Sequence, residues 1–174
     1  MEKNHFVVTG YVVREGKTLL LFHKKLQMWL APGGHIDEGE LPDEALRREI
    51  LEETGLEVDI LSPKRVPDPS DNVVKYLHVP NHVQLENIPN HPQHVDLIYF
   101  CKAKDGQEAL CAAEHDDMRW HSLEELDSPH IREEVRQTGK LAIEHAAKGR
   151  PTLDLDGKIR HNRDSKIRDA TSRP

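Results

Sequence analysis

The sequence predicts a mixed α/β fold, a layer of strands with helices packed on it, and three observations carry that prediction. First, β-branched and aromatic residues concentrate at 6–13, 18–22, 58–61, 73–79 and 95–101. Second, one strongly helical stretch, residues 42–54, interrupts this series of strands. Third, helical signals return only after residue 120, so strands lie before and after a central helix. A length of 174 residues suits one domain with a proper core.

Each element has its local reason. Arg14-Glu15-Gly16-Lys17 supplies turn chemistry between the first two strands and predicts a hairpin. Residues 28–34 end in Pro-Gly-Gly and are expected to form a loop. Pro42 suits the first turn of the helix, and Gly55 is a natural left-handed stop. Residues 80–92, with three prolines and three asparagines, read as a long loop facing substrate. Ser122-Leu-Glu-Glu125 is a capping box that starts a short helix. Ser128-Pro129 opens another, with Ile131, Val135, Thr138, Ala142 and His145 along one stripe. Gly149 and Pro151 end it. The domain is therefore expected over residues 1–149. Residues 150–174 form a basic tail, either flexible or packed as a strap.

Composition narrows the class. Charged residues make up 32% and aromatics 5%, which describes a well-solvated globule with a limited core. No apolar run approaches the ~20 residues that cross a bilayer, so no membrane partner is expected. The N-terminus lacks the apolar stretch of a secretory signal. Cys101 and Cys111 have no metal-motif spacing, and a reducing cytoplasm is the expected location. The net charge is −7, yet the tail has seven Lys/Arg against four Asp, so the acidic excess lies in the body. An acidic body argues against passive binding of nucleic acid.

The chemistry concentrates between residues 34 and 56. Glu49, Glu52 and Glu53 project within an arc of about 100° on a helix. Three carboxylates about 6 Å apart repel by roughly 3 kcal/mol per pair at an effective dielectric near 20. A divalent cation turns that repulsion into attraction, and oxygen-only ligands select hard ions such as Mg²⁺ or Mn²⁺. A solvated acidic helix face is the plainer reading of the same residues. Arg48, four residues before Glu52, carries a planar fork able to orient a carboxylate. Gly33 and Gly34 let the backbone approach an ion or phosphate closely. Glu40 lies outside the arc and is expected to support the cluster without binding metal itself.

Gly34, Glu40, Arg48, Glu49, Glu52, Glu53 and Gly55, with apolar Ile50 and Leu56, resemble a complete Nudix box. Seven matched identities arise by chance on the order of once in 10⁸ at average residue usage. The resemblance to MutT-like Nudix hydrolases implies an α/β/α sandwich around a mixed sheet. It implies metal-dependent cleavage of a phosphoanhydride bond in a nucleotide or nucleoside diphosphate derivative, by attack of water at phosphorus. It also implies that the Gly34 carbonyl joins Glu49, Glu52 and Glu53 as a metal ligand, and that Arg48 holds a catalytic glutamate. Family members differ in their general base. Some use a box glutamate, here Glu49, and others a later acid before a Trp-containing segment, here Glu114 ahead of Trp120, with Asp116 and Asp117 as competitors.

Outside the box, His91, His94 and Asp96 form a cluster suited to a second metal site or to phosphate contacts. His35 and His23 are single histidines without sequence partners, and Lys24 could reach a substrate phosphate. Two other functions share the fold. A non-catalytic sensor of nucleotides or RNA would have an eroded box, whereas every box carboxylate is present here. A prenyl diphosphate isomerase would need a cysteine ahead of the box, and both cysteines follow it. The substrate itself stays open, with capped or 5′-triphosphate RNA included among the choices.

Overall fold

The computed structural model describes residues 4–63, 74–87, 92–113, 115–149, 151–153 and 159–161. Strand β1 (His5–Arg14) turns into β2 (Lys17–His23) through Glu15 and Gly16, whose φ values are 49° and 75°. Positive φ at both central residues is what a tight hairpin of the right twist requires. The two strands pair only at Val13↔Thr18 and Arg14↔Lys17. Further along the same edge, β4 (Gly33–His35) takes the place of β2, with Val8 opposite Gly34. On its other edge β1 pairs in parallel with β7 (His94–Ala103), from His5↔His94 to Val13↔Lys102.

Four shorter strands complete the main sheet. β3 (Met28–Leu30) and β8 (His115–His121) both pair with β2. β5 (Val58–Ile60) pairs with the Ala103 end of β7, and β6 (His82–Glu86) with its His94 end. All these contacts are antiparallel, so the β1–β7 pair makes the sheet mixed. In the tail, β9 (Pro151–Leu153) and β10 (Ile159–His161) pair with each other as a separate two-stranded sheet.

Side chains alternate between the two faces of the central strands. Val8, Val12, Leu19, Tyr99 and Cys101 pack under α1 (Pro42–Thr54) against Ala45, Leu46 and Ile50. Tyr11, Val13, Leu20, Ile98 and Phe100 pack under α2 (Glu133–Ala147) against Val135, Ala142 and Ile143. Covering both faces explains why β1 and β7 are apolar almost without interruption. The result is the expected α/β/α sandwich. The bounds of α1 match the sequence expectation because its stop and start are local: Pro42 opens it, and Gly55 at φ 68° closes it. Asp43 in its first turn receives the His78 backbone N–H (3.2 Å) and meets the ring Nδ1 (2.7 Å), which straps the following segment over the helix start.

Several expectations are corrected. Residues 28–34 are not a continuous loop, since β3 and the start of β4 lie there. A Cβ at Gly33 would stand 2.2 Å from the Val8 carbonyl oxygen, so glycine is what lets this strand approach β1. Residues 80–92 contain β6, whose prolines fall outside the strand itself. Its pattern is inverted: Val83 and Leu85 are exposed, while Gln84 reaches the buried Asp96. Residues 74–79 form no extended strand, only an isolated bridge at His78, and residue 73 lies outside the described residues. The capping box at Ser122 is present, with Glu125 N–H donating to Ser122 Oγ and Ser122 N–H to Glu125 Oε2, but it nucleates only a 3₁₀ turn, Glu125–Asp127. The last helix begins at Glu133, four residues beyond Pro129.

Gly10 lies where α1 crosses β1, and a Cβ there would meet Ile50 Cδ1 at 2.5 Å and Leu46 Cδ1 at 3.1 Å. Both leucine and isoleucine are fully buried, so neither can swing clear. Gly10→Ala is therefore expected to lower stability by about 1–3 kcal/mol through overpacking, read from the midpoint of urea unfolding.

Candidate active site

Glu49, Glu52 and Glu53 occupy the last turns of α1, where the helix dipole disfavours negative charge, and the last turn has no basic residue. Arg48 answers much of that charge. Its Nε and Nη2 donate to the two oxygens of Glu40 at 2.9 and 2.8 Å, a bidentate fork. Its Nη1 donates to Glu49 Oε1 at 2.8 Å and to Glu52 Oε2 at 3.3 Å. Nη2 also donates to the His35 carbonyl at 3.0 Å, which ties the helix to β4. The hydrogen bonds from Arg48 hold the Glu40 carboxyl below the usual carboxylate range. Those to Glu40 and Glu49 in turn raise the guanidinium pKa still further.

Glu53 is satisfied separately. It is buried, accepts the Gly33 N–H at 2.9 Å through Oε2, and meets His115 Nε2 at 3.0 Å through Oε1. His115, at the start of β8, thus joins the end of α1 to the second half of the sheet. Nothing in its sequence context singles it out, and only the fold brings it to Glu53. Glu49 lies directly against Gly34: a Cβ there would come within 2.6 Å of every atom of the Glu49 carboxyl group. Glycine at 34 is therefore a cradle for that carboxylate.

Glu49 lies against Gly34, Glu53 accepts the Gly33 N–H, and Glu52 shares Arg48 with Glu49; these hard oxygen donors fit Mg²⁺ or Mn²⁺. Arg48 holds Glu49 and Glu52 while Gly33 and His115 hold Glu53, so the three do not point at a single spot. Among the described residues the set of three ligand atoms lying within 4.8 Å of one another is instead His5, His35 and His94.

Other predicted residues lie elsewhere. Lys24 Nζ donates to the Ala113 carbonyl (2.6 Å) and pairs with Asp116 (3.7 Å), anchoring the approach to β8. Asp96 lies on the α2 face of the sheet, opposite α1, where Thr9 Oγ1 donates to it at 3.0 Å. His94 is buried next to His5 and His35. His91 and Glu114 lie outside the described residues. A cleft of 960 Å³ bounded by Trp29, Arg119, His121 and Ile131 includes none of the three glutamates. Donor chemistry, rather than cleft volume, marks the site.

Two outcomes follow. Arg48→Ala leaves Glu40, Glu49 and Glu52 without their shared donor and is expected to cost about 1–3 kcal/mol in urea unfolding. Burial, with Glu86 nearby, pushes the Asp96 carboxyl up to about 7 from its ordinary 3.8. The folded state thus keeps a proton that the unfolded chain releases between those values. Stability from this group is present below about pH 4 and lost as pH rises to 7, by up to about 4 kcal/mol. Asp96→Asn should remove that slope in unfolding measured from pH 4 to 8.

A sequence model described as the NUDIX domain matches residues 3–141. The structure superposes on a NUDIX-family hydrolase from Clostridium perfringens with a TM-score of 0.71 and 30% identity, covering 82% of this chain and 98% of that one. A MutT NUDIX hydrolase from Burkholderia pseudomallei shares the fold, with a TM-score of 0.58, 23% identity and coverage of 83% and 98%. A Bacillus subtilis (strain 168) protein described as a candidate 8-oxo-dGTP diphosphatase is 49% identical over 45 residues, a stretch that makes up 25% of this chain and only 30% of that relative. A match along most of the chain, on a sandwich that sets Glu49 against Gly34 and Glu53 on the Gly33 N–H, places this chain in the Nudix family.

Proposed function

We propose that the chain is a divalent-metal-dependent hydrolase that cleaves a phosphoanhydride bond in a nucleotide or nucleoside diphosphate derivative, with water attacking at phosphorus. The observation that carries this reading is the Arg48-held pair Glu49 and Glu52, with Glu53 alongside, against the Gly33-Gly34 strand. Acidic groups gathered at the negative end of a helix work against folding, and a cation explains their presence there.

Glu49, Glu52, Glu53 and the Gly34 carbonyl would hold Mg²⁺ or Mn²⁺. When bound, the cation offsets diphosphate charge and lowers the pKa of a coordinated water. The remaining work belongs to the chain's own groups. Arg48 restrains Glu49 and Glu52, and Glu40 restrains Arg48 through both carboxylate oxygens. Glu53 is kept in place by the Gly33 N–H and His115. The proton leaving water passes to a carboxylate, Glu49 within the box or Glu114 on the later segment.

The Bacillus subtilis relative supports placing an oxidised nucleoside triphosphate first among substrates. No helix among the described residues is long and apolar enough to cross a membrane. Cys101 and Cys111 are both free thiols, in keeping with a cytoplasmic protein.

A substrate panel with Mg²⁺ and with Mn²⁺ tests the reading. It should include nucleoside di- and triphosphates, 8-oxo-dGTP, sugar nucleotides, ADP-ribose, dinucleoside polyphosphates and 5′-triphosphate RNA, with products identified. Activity is expected to need the cation and to fall by about 10²-fold or more in Glu52→Gln and Glu53→Gln, with the circular dichroism spectrum unchanged. Undiminished turnover in either variant would remove that residue from the site. Failure of the wild type on the whole panel would favour a nucleotide-binding module instead.

A further inference from the structure

Three histidines from three strands meet at one end of the sheet, on the face opposite Glu49 and shared with Asp96. The register brings them together. His5 is the direct partner of His94 across the parallel β1–β7 ladder, and His35 is the partner of Val7 across β1–β4. Residues paired across a ladder share a face, and residues two apart along one strand share it too. His5, His35 and His94 therefore project from the same face, the one that carries Tyr11 and Ile98 under α2. Gly34, one residue before His35, belongs to the opposite face with Glu49.

Side-chain geometry agrees with a common ligand. One ring nitrogen from each histidine lies within 4.8 Å of the other two. His5 Nδ1 and His35 Nε2 are 3.3 Å apart. Two nitrogens each about 2.0–2.1 Å from one tetrahedral ion stand about 3.3–3.4 Å apart. The His5 and His94 rings are nearly parallel (16°), and His35 meets both edge-on, at 70° and 80°. His94 is buried and forms a fixed wall, whereas His35 is exposed and His5 half-buried. The latter two can turn by the small amount that closes the triangle.

We propose that His5, His35 and His94 form a transition-metal site, distinct from the carboxylate cluster, that takes Zn²⁺ or a similar borderline ion. Imidazole nitrogen selects such ions over Mg²⁺, so the two sites of the chain differ in metal by donor chemistry. Three nitrogens on a solvent-facing edge leave the fourth tetrahedral position to water. The ion would lace β1, β4 and β7 together where β4 is held to β1 by few residues. It would also steady the His35 carbonyl, which accepts from Arg48.

The test uses the full chain without a polyhistidine tag, with excess Mg²⁺ present to saturate oxygen donors. Co²⁺ and Zn²⁺ are titrated into the wild type, His5→Ala, His35→Ala and a Glu49→Gln/Glu52→Gln/Glu53→Gln variant. Visible d–d absorption, bound Zn²⁺ per chain and melting temperature are read. One tight equivalent with a tetrahedral Co²⁺ spectrum and a raised melting temperature is expected in the wild type and the glutamine variant. Binding at least tenfold weaker is expected in both histidine variants. His35 is exposed, so His35→Ala keeps the fold and keeps the comparison valid even if another variant does not. Unchanged affinity in His35→Ala, loss of binding in the glutamine variant, or no tight equivalent in the wild type would each overturn the assignment.

Discussion

The parallel ladder between β1 and β7 is the constraint on which the rest of this structure depends. It runs the length of both strands in unbroken register, and its two faces are buried under different helices. Because side chains alternate, each position along β1 is committed to one helix or the other. Gly10 belongs to the α1 face, where only a hydrogen fits beneath Ile50. β4 inherits this commitment by pairing with β1, so Gly34 faces Glu49 while His35 faces His5 and His94. A slip of one residue would exchange the two sets. Two donor clusters of opposite chemical character thus arise on opposite sides of a three-residue strand.

Electrostatics at the end of α1 runs against ordinary helix preference. Acids suit the first turn, and Asp43 and Glu44 are indeed there, but Glu52 and Glu53 stand in the last. The fold accommodates them in two ways. Arg48 is shared among Glu40, Glu49 and Glu52 and lies 3.8 Å from Asp37, so one cation faces four acids. Glu53 is instead buried against a backbone N–H and an imidazole, which replaces the hydration it loses. The carboxylates still outnumber the single guanidinium, so this surface keeps a net excess of negative charge.

Much of the helix and little of the sheet's edge was legible in the sequence. Residues 42–54 carry their own start, stop and periodicity, so their bounds follow from nearest neighbours along the chain. The strands β1, β2 and β7 were legible because both of their faces are apolar, and β5 because buried Val58 and Ile60 alternate with an exposed Asp59. β4 was not, since Pro-Gly-Gly looks like a loop until the backbone of β1 is placed against it. β6 was not, since its apolar residues face outward and its polar ones inward. β8 carries two histidines, two aspartates and an arginine, so its strand character comes from pairing with β2 and not from its own composition.

The sequence by itself determined the spacing of Glu49, Glu52, Glu53 and Arg48, because helical geometry converts positions three and four apart into one face without help from the rest of the chain. Only the tertiary structure decided that Glu53 meets His115, that Asp96 lies on the opposite face from the carboxylates, and that His94 belongs with His5 and His35. Those meetings join residues about 30 to 90 positions apart. They depend on strand order and register, which the pairing of whole strands sets and no local pattern encodes.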